Sequence, residues 1–325
     1  MNRCGQMLAL ALLALTLASN VRAGEAKGPA PEAKRKAVLV TGASTGIGRN
    51  MVETLAKNGW FVYAGARKPK DLEALSAIPN VQGVKLDVTV QADVDAAVAT
   101  VRKGGRGLHG LVNNAGIAVI GPLIEVEEAD LRDQLEVNVM GPYRVTRAFA
   151  PLIIEAKGRI VTTGSISGTL ANRMLGPYAM SKHAVEAYTD ALAVEMERFG
   201  VGVSVIEPGN YKSDIFMAVA KRLESRDFDA AKSRYPEEWK AYNERPKDRA
   251  QFPEPDAVSA ALMHALGDAK PQRRYMVVPN QREAEITVRK SLEKTVQLNA
   301  KQPYAYDREA LIKMLDEVLA ANPPK

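Results

Sequence analysis

The chain has 325 residues, of which 46% are hydrophobic and 25% are charged. This is the composition of a globular protein, and the length suits one large α/β domain or two small ones. The formal net charge is +6, but no dense basic run interleaved with aromatic residues is present, which argues against nucleic-acid binding. Cys4 and three scattered histidines provide neither an internal disulfide nor the ligand spacing of a zinc site, so we expect no metal.

Residues 1–23 have the pattern of an export signal. A positive start at Arg3 precedes an apolar run over residues 7–18, and Ala23 ends a short pattern typical of a cleavage site. The apolar run is shorter than the roughly 20 residues that a membrane-spanning helix needs. The sequence therefore predicts a cleaved signal peptide and an exported, periplasmic or secreted protein, with an uncleaved membrane anchor as the alternative. Residues 24–35 are predicted to be a flexible leader.

From residue 36 onward, short apolar runs alternate with stretches of helical periodicity. This alternation indicates βαβ units, and hence a doubly wound parallel sheet with helices on both faces. The predicted strands are Ala37–Val40, Trp60–Gly65, Val81–Leu86, Gly110–Val112, Arg159–Thr163, Gly202–Ile206 and Arg274–Val278. The predicted helices include Gly48–Asn58, Ala92–Arg102, Leu131–Ala156 and Ala179–Phe199. We therefore expect residues 36–325 to form a single α/β domain.

The pattern changes after the sixth predicted strand. Residues 211–253 are strongly charged and carry several aromatic side chains, which indicates helical lid or loop material rather than another βαβ unit. Two further helices are predicted near residues 281–297 and 308–320, so that 281–325 form a helical C-terminal extension. Because ligands of open α/β sheets bind outside the carboxyl ends of the strands, residues 211–253 are a candidate specificity element. Surface decoration or an oligomer contact is the alternative.

A glycine-rich turn follows the first predicted strand directly. Glycines at a junction of this kind let the backbone turn tightly and approach a pyrophosphate, and the N-terminus of the following helix supplies N–H donors. The spacing of the three glycines is Gly-x3-Gly-x-Gly. The residues of the turn predicted to bind a dinucleotide are Gly42, Ser44, Thr45, Gly46, Ile47 and Gly48.

Tyr178 and Lys182 lie four residues apart in a predicted helix, which places both side chains on one face. A phenol with a pKa near ~10 is a poor acid or base at neutral pH. A fixed cation nearby favours the phenolate and lowers the pKa, as a general acid/base requires. The same spacing is common on amphipathic helices, so the pair is informative only together with the motifs around it.

Several further motifs occur in a fixed order along the chain. They are the glycine turn, Leu86-Asp87-Val88, Asn113-Asn114-Ala115-Gly116, Asn138, Gly164-Ser165, Tyr178-x3-Lys182 and Pro208-Gly209. With these motifs at these spacings, residues 36–212 resemble the short-chain dehydrogenase/reductase family, and residues beyond them resemble its hydroxysteroid and retinol dehydrogenase-like members. The resemblance implies a Rossmann-like fold and hydride transfer between a nicotinamide cofactor and an alcohol or ketone.

The resemblance also assigns roles to four polar residues. Tyr178 would be the general acid in reduction and the general base in oxidation, and Lys182 would lower its pKa and contact the nicotinamide ribose. Ser165 would hydrogen-bond the substrate oxygen. Asn138 would hold a water in a proton relay through Lys182. The further cofactor contacts implied are Asp87, Val88, Asn114, Ala115, Gly116, Pro208 and Gly209.

The end of the second predicted strand bears on the choice of cofactor. An acidic residue there would bind the ribose hydroxyl of NAD and repel a phosphate, but this chain has Ala66 followed by Arg67. A guanidinium can grip the 2′-phosphate of NADP. The basic residue that many NADP-dependent members carry in the glycine turn is replaced by Thr45. The sequence therefore favours NADP, with NAD as the alternative.

The sequence says less about the substrate than about the cofactor. Met174, Leu175 and Phe216, together with Ile215 and Met217, are candidates to line an apolar pocket. They can equally be read as ordinary core, and it is the resemblance to hydroxysteroid and retinol dehydrogenase-like members that implies a lipophilic, steroid- or retinoid-like secondary alcohol or ketone. One alternative is a reductase of ketoacyl or other small carbonyl compounds, and another is a non-catalytic dinucleotide-binding scaffold or sensor. The resemblance further implies a homodimer or homotetramer, while membrane contact is expected only if the N-terminal segment stays uncleaved.

Overall fold

The computed structural model describes residues 35–225, 229–244 and 250–322. Seven parallel strands form one sheet in the order β3-β2-β1-β4-β5-β6-β7. Because β1 has β2 on one side and β4 on the other, the order of the strands reverses beside β1. The strands are β1 (Ala37–Val40), β2 (Phe61–Ala66), β3 (Val81–Lys85), β4 (Gly110–Asn113), β5 (Arg159–Thr163), β6 (Gly202–Pro208) and β7 (Arg274–Val277).

Helices cover both faces of the sheet. All four residues of β1 are buried, as expected for a central strand whose two faces are both covered. The helices are α1 (Gly46–Lys57), α2 (Pro69–Ser76), α3 (Gln91–Gly104), α4 (Glu128–Leu135), α5 (Gly141–Glu155), α6 (Gly176–Glu197), α7 (Ile215–Ser225), α8 (Pro236–Asn243), α9 (Asp256–Gly267), α10 (Gln281–Asn299) and α11 (Arg308–Ala321). One core lies under α1 and α9, and the other under α3, α5 and the second half of α6.

The predicted fold class is confirmed, including the number of strands and the helical C-terminal region. Two details differ from the prediction. Helix α2, which begins at Pro69, was not predicted because it is short and begins directly after the second strand. The single helix predicted over Leu131–Ala156 is divided, because a π-helical turn at Glu136–Met140 separates α4 from α5.

Residues 211–253 contain α7 and α8 in the described part and pack around a small separate core. Val219, Trp239 and Tyr242 are its buried members on these two helices. Helix α10 buries only Glu283 and Thr287, and α11 buries no residue. Within the described ranges, no helix is both long enough and apolar enough to cross a membrane. The predicted signal peptide and nearly all of the predicted leader lie outside the described residues.

Candidate active site

The glycine turn lies at the carboxyl end of β1, where the strand order reverses. Gly42 has φ +63°, a left-handed conformation that favours glycine, and a Cβ there would lie 2.7 Å from Cα of Ala115. A Cβ on Gly48 would overlap the carbonyl oxygen of Gly42 and lie 2.5 Å from Nδ2 of Asn114. The first turn of α1 therefore packs against the end of β1 only because both positions lack a side chain.

Asn114 joins the ends of three strands. Its Nδ2 donates to the carbonyl oxygens of Thr41 and Gly42, at 3.2 and 3.1 Å, and its Oδ1 accepts from the hydroxyl of Thr163 at 3.2 Å. The hydroxyl of Thr41 in turn accepts from the backbone N–H groups of Asn114 and Ala115. These bonds fix the ends of β1, β4 and β5 relative to one another and hold the glycine turn open.

The N-terminus of α1 provides N–H groups to this opening. Thr45 is the N-cap residue but makes no side-chain capping bond, and the first intrahelical bond in this turn runs from Arg49 N to Thr45 O. The N–H groups of Gly46, Ile47 and Gly48 therefore have no intrahelical acceptor. Together with the positive end of the helix dipole, they form a site suited to a phosphate group.

Arg67 and Asp87 lie at the rim of the same opening, beyond the ends of β2 and β3. Their closest charged atoms, Nη1 of Arg67 and Oδ2 of Asp87, are 3.9 Å apart. The Arg67 side chain is 67% exposed, so this ion pair is weak and leaves the guanidinium available to an anionic ligand. Oδ1 of Asp87 accepts from the N–H and hydroxyl groups of Thr89, which fixes the carboxylate at the rim.

Tyr178 and Lys182 lie on the first two turns of α6, as predicted from their spacing. Nζ of Lys182 is 5.6 Å from the centre of the Tyr178 ring and donates to the carbonyl oxygen of Thr163 at 2.7 Å. Burial lowers the pKa of Lys182 to about 8, and the carboxylate of Glu186 opposes this effect. A buried ammonium that is easily deprotonated therefore lies beneath the phenol.

Ser165 is buried at the start of the short 3₁₀ helix Ile166–Gly168, which follows β5. Its hydroxyl oxygen accepts a 3.1 Å hydrogen bond from the N–H of Ser167. This bond orients the oxygen as an acceptor and leaves the hydroxyl proton free to donate. Ser165 and Tyr178 both line the cavity described below.

Asn138 lies behind the cavity rather than in its wall. Its Oδ1 accepts from the N–H of Ile117 at 2.9 Å, and its Nδ2 donates to the carbonyl oxygen of Ile117 and to the hydroxyl of Ser181. Gln134, one turn earlier, bonds the N–H of Val119 and the same carbonyl of Ile117. The side chain of Asn138 therefore fixes the segment after β4 against α6, and its predicted water-binding role stays a prediction.

One cavity of about 410 Å³ connects these features. It is bounded by the glycine turn at one end and by α7 at the other. The residues predicted for cofactor and catalysis that line it are Gly42, Ser44, Thr45, Gly46, Ile47, Gly48, Arg67, Asp87, Val88, Asn114, Ala115, Gly116, Ser165, Tyr178, Lys182, Pro208 and Gly209. Of the predicted substrate contacts, Leu175, Ile215 and Phe216 also line it.

A second cavity of about 400 Å³ adjoins the first beneath α8. The two share Asn172, Leu175 and Phe216. Met174, in the left-handed region with φ +67°, lines this second cavity instead of the first. Met217 lines neither cavity and is 40% exposed, so the prediction for Met217 was wrong.

Sequence reasoning missed the polar residues that hold the site together. These residues fix strand ends and loops, and spacing does not reveal them because their bonding partners lie far away in the chain. They are Thr41, Gln134, Thr163 and Ser181. Of these four, only Thr41 could have been predicted from the sequence, because it directly follows a buried strand and precedes the glycine turn. Asn210 and Ser213, which lie in the cavity wall after β6, were also missed.

The parallel sheet and the glycine turn at the end of β1 together define a dinucleotide-binding α/β protein. The family model of the short chain dehydrogenases matches residues 36–224. The chain belongs to the short-chain dehydrogenase family.

Two relatives show the range of the similarity. The chain is 33% identical over 269 residues to the mitochondrial D-beta-hydroxybutyrate dehydrogenase of Rattus norvegicus, which covers 76% of this chain and 78% of the relative. It is 36% identical over 251 residues to the NADPH-dependent 3-dehydrocapnine reductase of Ornithobacterium rhinotracheale, covering 74% of this chain and 87% of the relative.

A solved structure of the family has the same fold. The short chain dehydrogenase/reductase of Burkholderia phymatum, solved in complex with NAD, superposes with a TM-score of 0.71 at 26% identity. The match covers 84% of this chain and 99% of the other.

Proposed function

We propose that the protein is an NAD(P)-dependent oxidoreductase that interconverts a secondary alcohol and its ketone, with Tyr178 as the acid/base. The observation that carries the proposal is the placement of Tyr178, Ser165 and buried Lys182 in the wall of the cavity that begins at the glycine turn. A binding scaffold needs the glycine turn but has no use for a buried ammonium beneath a phenol, so catalysis is favoured over the scaffold reading.

The residues present fit a dinucleotide. The N–H groups of Gly46, Ile47 and Gly48 would hold its pyrophosphate, Asp87 and Val88 would contact the adenine, and Lys182 would contact the ribose beside the nicotinamide. When bound, the nicotinamide supplies or accepts the hydride. Arg67 is the group at the rim suited to a 2′-phosphate, so we propose NADP as the preferred cofactor.

The chain's own residues handle the proton and the developing charge. The Ser165 hydroxyl donates to the substrate oxygen, where negative charge grows as the carbonyl is reduced. Tyr178 delivers the proton to that oxygen, and the Lys182 ammonium stabilises the negative charge left on the phenol oxygen. In the oxidative direction the same groups act in reverse, with Tyr178 accepting the proton of the alcohol.

Replacement of Tyr178 by Phe tests this proposal. We expect Tyr178→Phe to lower kcat by about 10²–10⁴-fold while the dissociation constant for NADPH stays the same, because only the proton donor is removed. Tyr188→Phe is the matched control, since Tyr188 lies on the same helix but outside the cavity wall. Full activity in Tyr178→Phe would contradict the assignment. A binding protein without turnover would show no activity in the wild type or in either variant.

The cofactor preference has its own test. We expect the wild-type protein to bind NADPH more tightly than NADH, and Arg67→Ala to weaken NADPH about 10-fold or more while NADH binding barely changes. Lys68→Ala, one residue further along, is the control because Lys68 does not line the cavity. Tighter binding of NADH by the wild-type protein would overturn the assignment.

We propose a lipophilic substrate because the apolar residues Leu175 and Phe216 lie between the two adjoining cavities, so a chain or ring system can extend from Tyr178 beneath α8. Following NADPH oxidation over a panel of steroid, retinoid and ketoacyl carbonyl compounds separates the readings. A preference for the larger apolar ketones supports the proposal. Activity confined to ketoacyl or small polar carbonyls would support the alternative reductase.

We also propose that the protein forms a homo-oligomer and is exported. Exposed apolar residues on α5 and α6, among them Tyr143, Met180 and Val194, favour a homodimer or homotetramer formed through these helices. Residues 1–23 favour export, with membrane anchoring as the alternative. Sedimentation of the purified protein tests the first proposal. Cell fractionation with sequencing of the mature N-terminus tests the second, and an uncleaved Met1 would contradict a signal peptide.

A further inference from the structure

Two carboxyl groups meet in the interior behind the active site. Glu207 lies near the end of β6, directly before Pro208, and is 3% exposed. Glu186 lies on α6 one turn after Lys182, and its side chain is 14% exposed. Arg274 on β7 contacts both, with its Nη2 3.0 Å from Oε2 of Glu186 and its Nε 2.6 Å from Oε1 of Glu207.

One oxygen of each carboxyl group lacks a hydrogen bond of good geometry among the described residues. The Arg274 Nε–H is directed to Oε2 of Glu186, at 3.2 Å, while its Nε also lies 2.6 Å from Oε1 of Glu207, so one guanidinium is shared by the two carboxyl groups. The oxygens that lack such a bond are Oε1 of Glu186 and Oε1 of Glu207, and both are buried. A Cβ on Gly164 would lie 2.6 Å from Oε1 of Glu186, so the backbone closes over that oxygen.

The charges around the two carboxyl groups do not balance. Arg274 is the cation in contact with them, and it is shared with Asp190, 3.2 Å away on the next turn of α6. The remaining charged neighbour on α6 is Lys182, whose ammonium interacts with Glu186. Burial and the negative charge of Glu186 raise the pKa of Glu207 to about 7, and Arg274 only partly opposes this. A proton between the two carboxyl groups supplies the missing donor and removes the excess charge.

We propose that Glu186 and Glu207 share one proton near neutral pH, and that this pair is a titrating counter-ion that positions the charge of Lys182. The proposal rests on the function proposed for Lys182, but the existence of the shared proton does not. Neither glutamate touches substrate or cofactor in this role, so both are positioning residues.

The sign of the effect follows from the geometry. With the shared proton, the pair carries one negative charge; when that proton leaves to solvent, it carries two. The second charge favours the ammonium of Lys182, whose pKa burial has lowered to about 8. Loss of the shared proton therefore extends the pH range over which Lys182 stays charged and Tyr178 remains active.

The shared proton is tested directly by infrared difference spectroscopy of the full-length protein. We expect the wild-type spectrum minus that of Glu207→Gln to show a carboxylic acid C=O band below neutrality, which disappears with a midpoint near pH 7. This measurement needs no substrate, so it succeeds or fails independently of the proposed function. Absence of the band between about pH 5 and 9 would overturn the shared proton.

The counter-ion role is tested by the pH profile of kcat/KM. In Glu207→Gln the second negative charge cannot form, so we expect the alkaline limb to shift to lower pH, by on the order of one unit. Asp190→Asn is the matched control, because Asp190 contacts Arg274 but is exposed and lies further from Lys182. Its alkaline limb should stay in place.

A merely structural role predicts a different result. Glu207→Gln would then lower kcat/KM by the same factor at every pH and leave both limbs where they are, which would overturn the counter-ion role. If Glu207→Gln does not fold, Glu186→Gln provides the same test from the other side of the pair, with a shift in the same direction. If the infrared band titrates but the protein reduces no carbonyl compound of the panel, the proposed function is contradicted and the shared proton is still supported.

Discussion

The sheet and the helices on its faces (residues 36–210 and 256–277) are stabilised differently from the cover of the cavity and the C-terminal extension (residues 211–253 and 281–322). The first region consists of buried strands whose ends are joined by hydrogen bonds between side chains and backbone, such as those of Asn114 and Gln134. The second region covers the cavity with α7 and α8, which pack in a small core shared with Ala118 and Ile120 of the first region, and it ends in a helix that buries no residue. Catalytic geometry therefore depends on the large cores beside the sheet, and the cover of the cavity depends on a much smaller one.

The C-terminal extension is linked to the first region through α10. The carboxylate of Glu283 accepts from the N–H of Asn210 at 2.9 Å, directly after the Pro208-Gly209 segment. Further along the same helix, Nζ of Lys294 donates to the carbonyl oxygen of Thr169 at 2.7 Å and lies 3.0 Å from Nε2 of His183. The extension thus contacts two loops of the cavity through polar groups rather than through an apolar core.

The largest effect on stability is expected at Gly48, where the first region has no room for a side chain. Gly48→Ala places a Cβ against the carbonyl of Gly42 and the amide of Asn114, so we expect a loss of about 3 kcal/mol in the free energy of unfolding. Cofactor binding should fall with it. Gly267→Ala is the control, since open space surrounds that glycine, and it should be neutral or stabilising by less than about 1 kcal/mol. Urea unfolding of both variants measures the difference.

A pH-dependent effect of on the order of 1–3 kcal/mol is expected from Glu207. Its pKa is raised from 4.5 to about 7, so between these values the folded protein holds a proton that the unfolded chain has released. The free energy of unfolding of the wild type should therefore decrease as pH rises from about 4.5 to above 7. Glu207→Gln lacks this group, so we expect a smaller decrease in urea-unfolding series over this range. Identical slopes for the two proteins would contradict the raised pKa.

A smaller effect, confined to substrate selection, is expected in the second region. Phe216→Ala removes apolar surface shared by the two cavities, so we expect KM for a large lipophilic ketone to rise by roughly 5–10-fold. Dissociation constants for the cofactor should change little. Met217→Ala is the control because Met217 is exposed and outside both cavity walls. Equal effects of the two substitutions would argue against Phe216 as a substrate contact.

The smallest effect is expected from removal of α11. Deleting residues 308–325 takes away no buried side chain within the described part, so the free energy of unfolding should change by less than about 1 kcal/mol. A chain ending at residue 280 also loses Glu283 and its bonds to Asn210, and should lose both stability and activity. A strong effect of the shorter deletion would show that α11 contributes to the fold through an interface.

The sequence predicted the first region well for a physical reason. Apolar runs of strand length and a glycine turn are local signals, and parallel strands place their ends at one edge of a sheet. The cavity wall from Gly42 to Lys182 could therefore be predicted before any contact was known. By contrast, the bonds of Gln134 and Thr163 join residues 15 and 49 positions away in the chain, and no spacing reports them.

The second region and the helix interruption were predicted less well. Whether Met174 lines one cavity or the other depends on how α8 packs, and that packing involves few buried residues. The π-helical turn was missed because over five residues its periodicity hardly differs from that of an α-helix. The pairing of Glu186 with Glu207 was missed because helical periodicity does not report which strand a side chain faces.

The π-helical turn at Glu136–Met140 sets where Asn138 points. A π turn holds one residue more than an α turn, so deleting one residue there would yield an uninterrupted α-helix. The helices on either side would keep their faces, but Asn138 would shift around the helix axis and leave Ile117 and Ser181. Substitutions on the outer face of α4 should be tolerated, whereas an in-frame deletion inside the turn should be eliminated by selection.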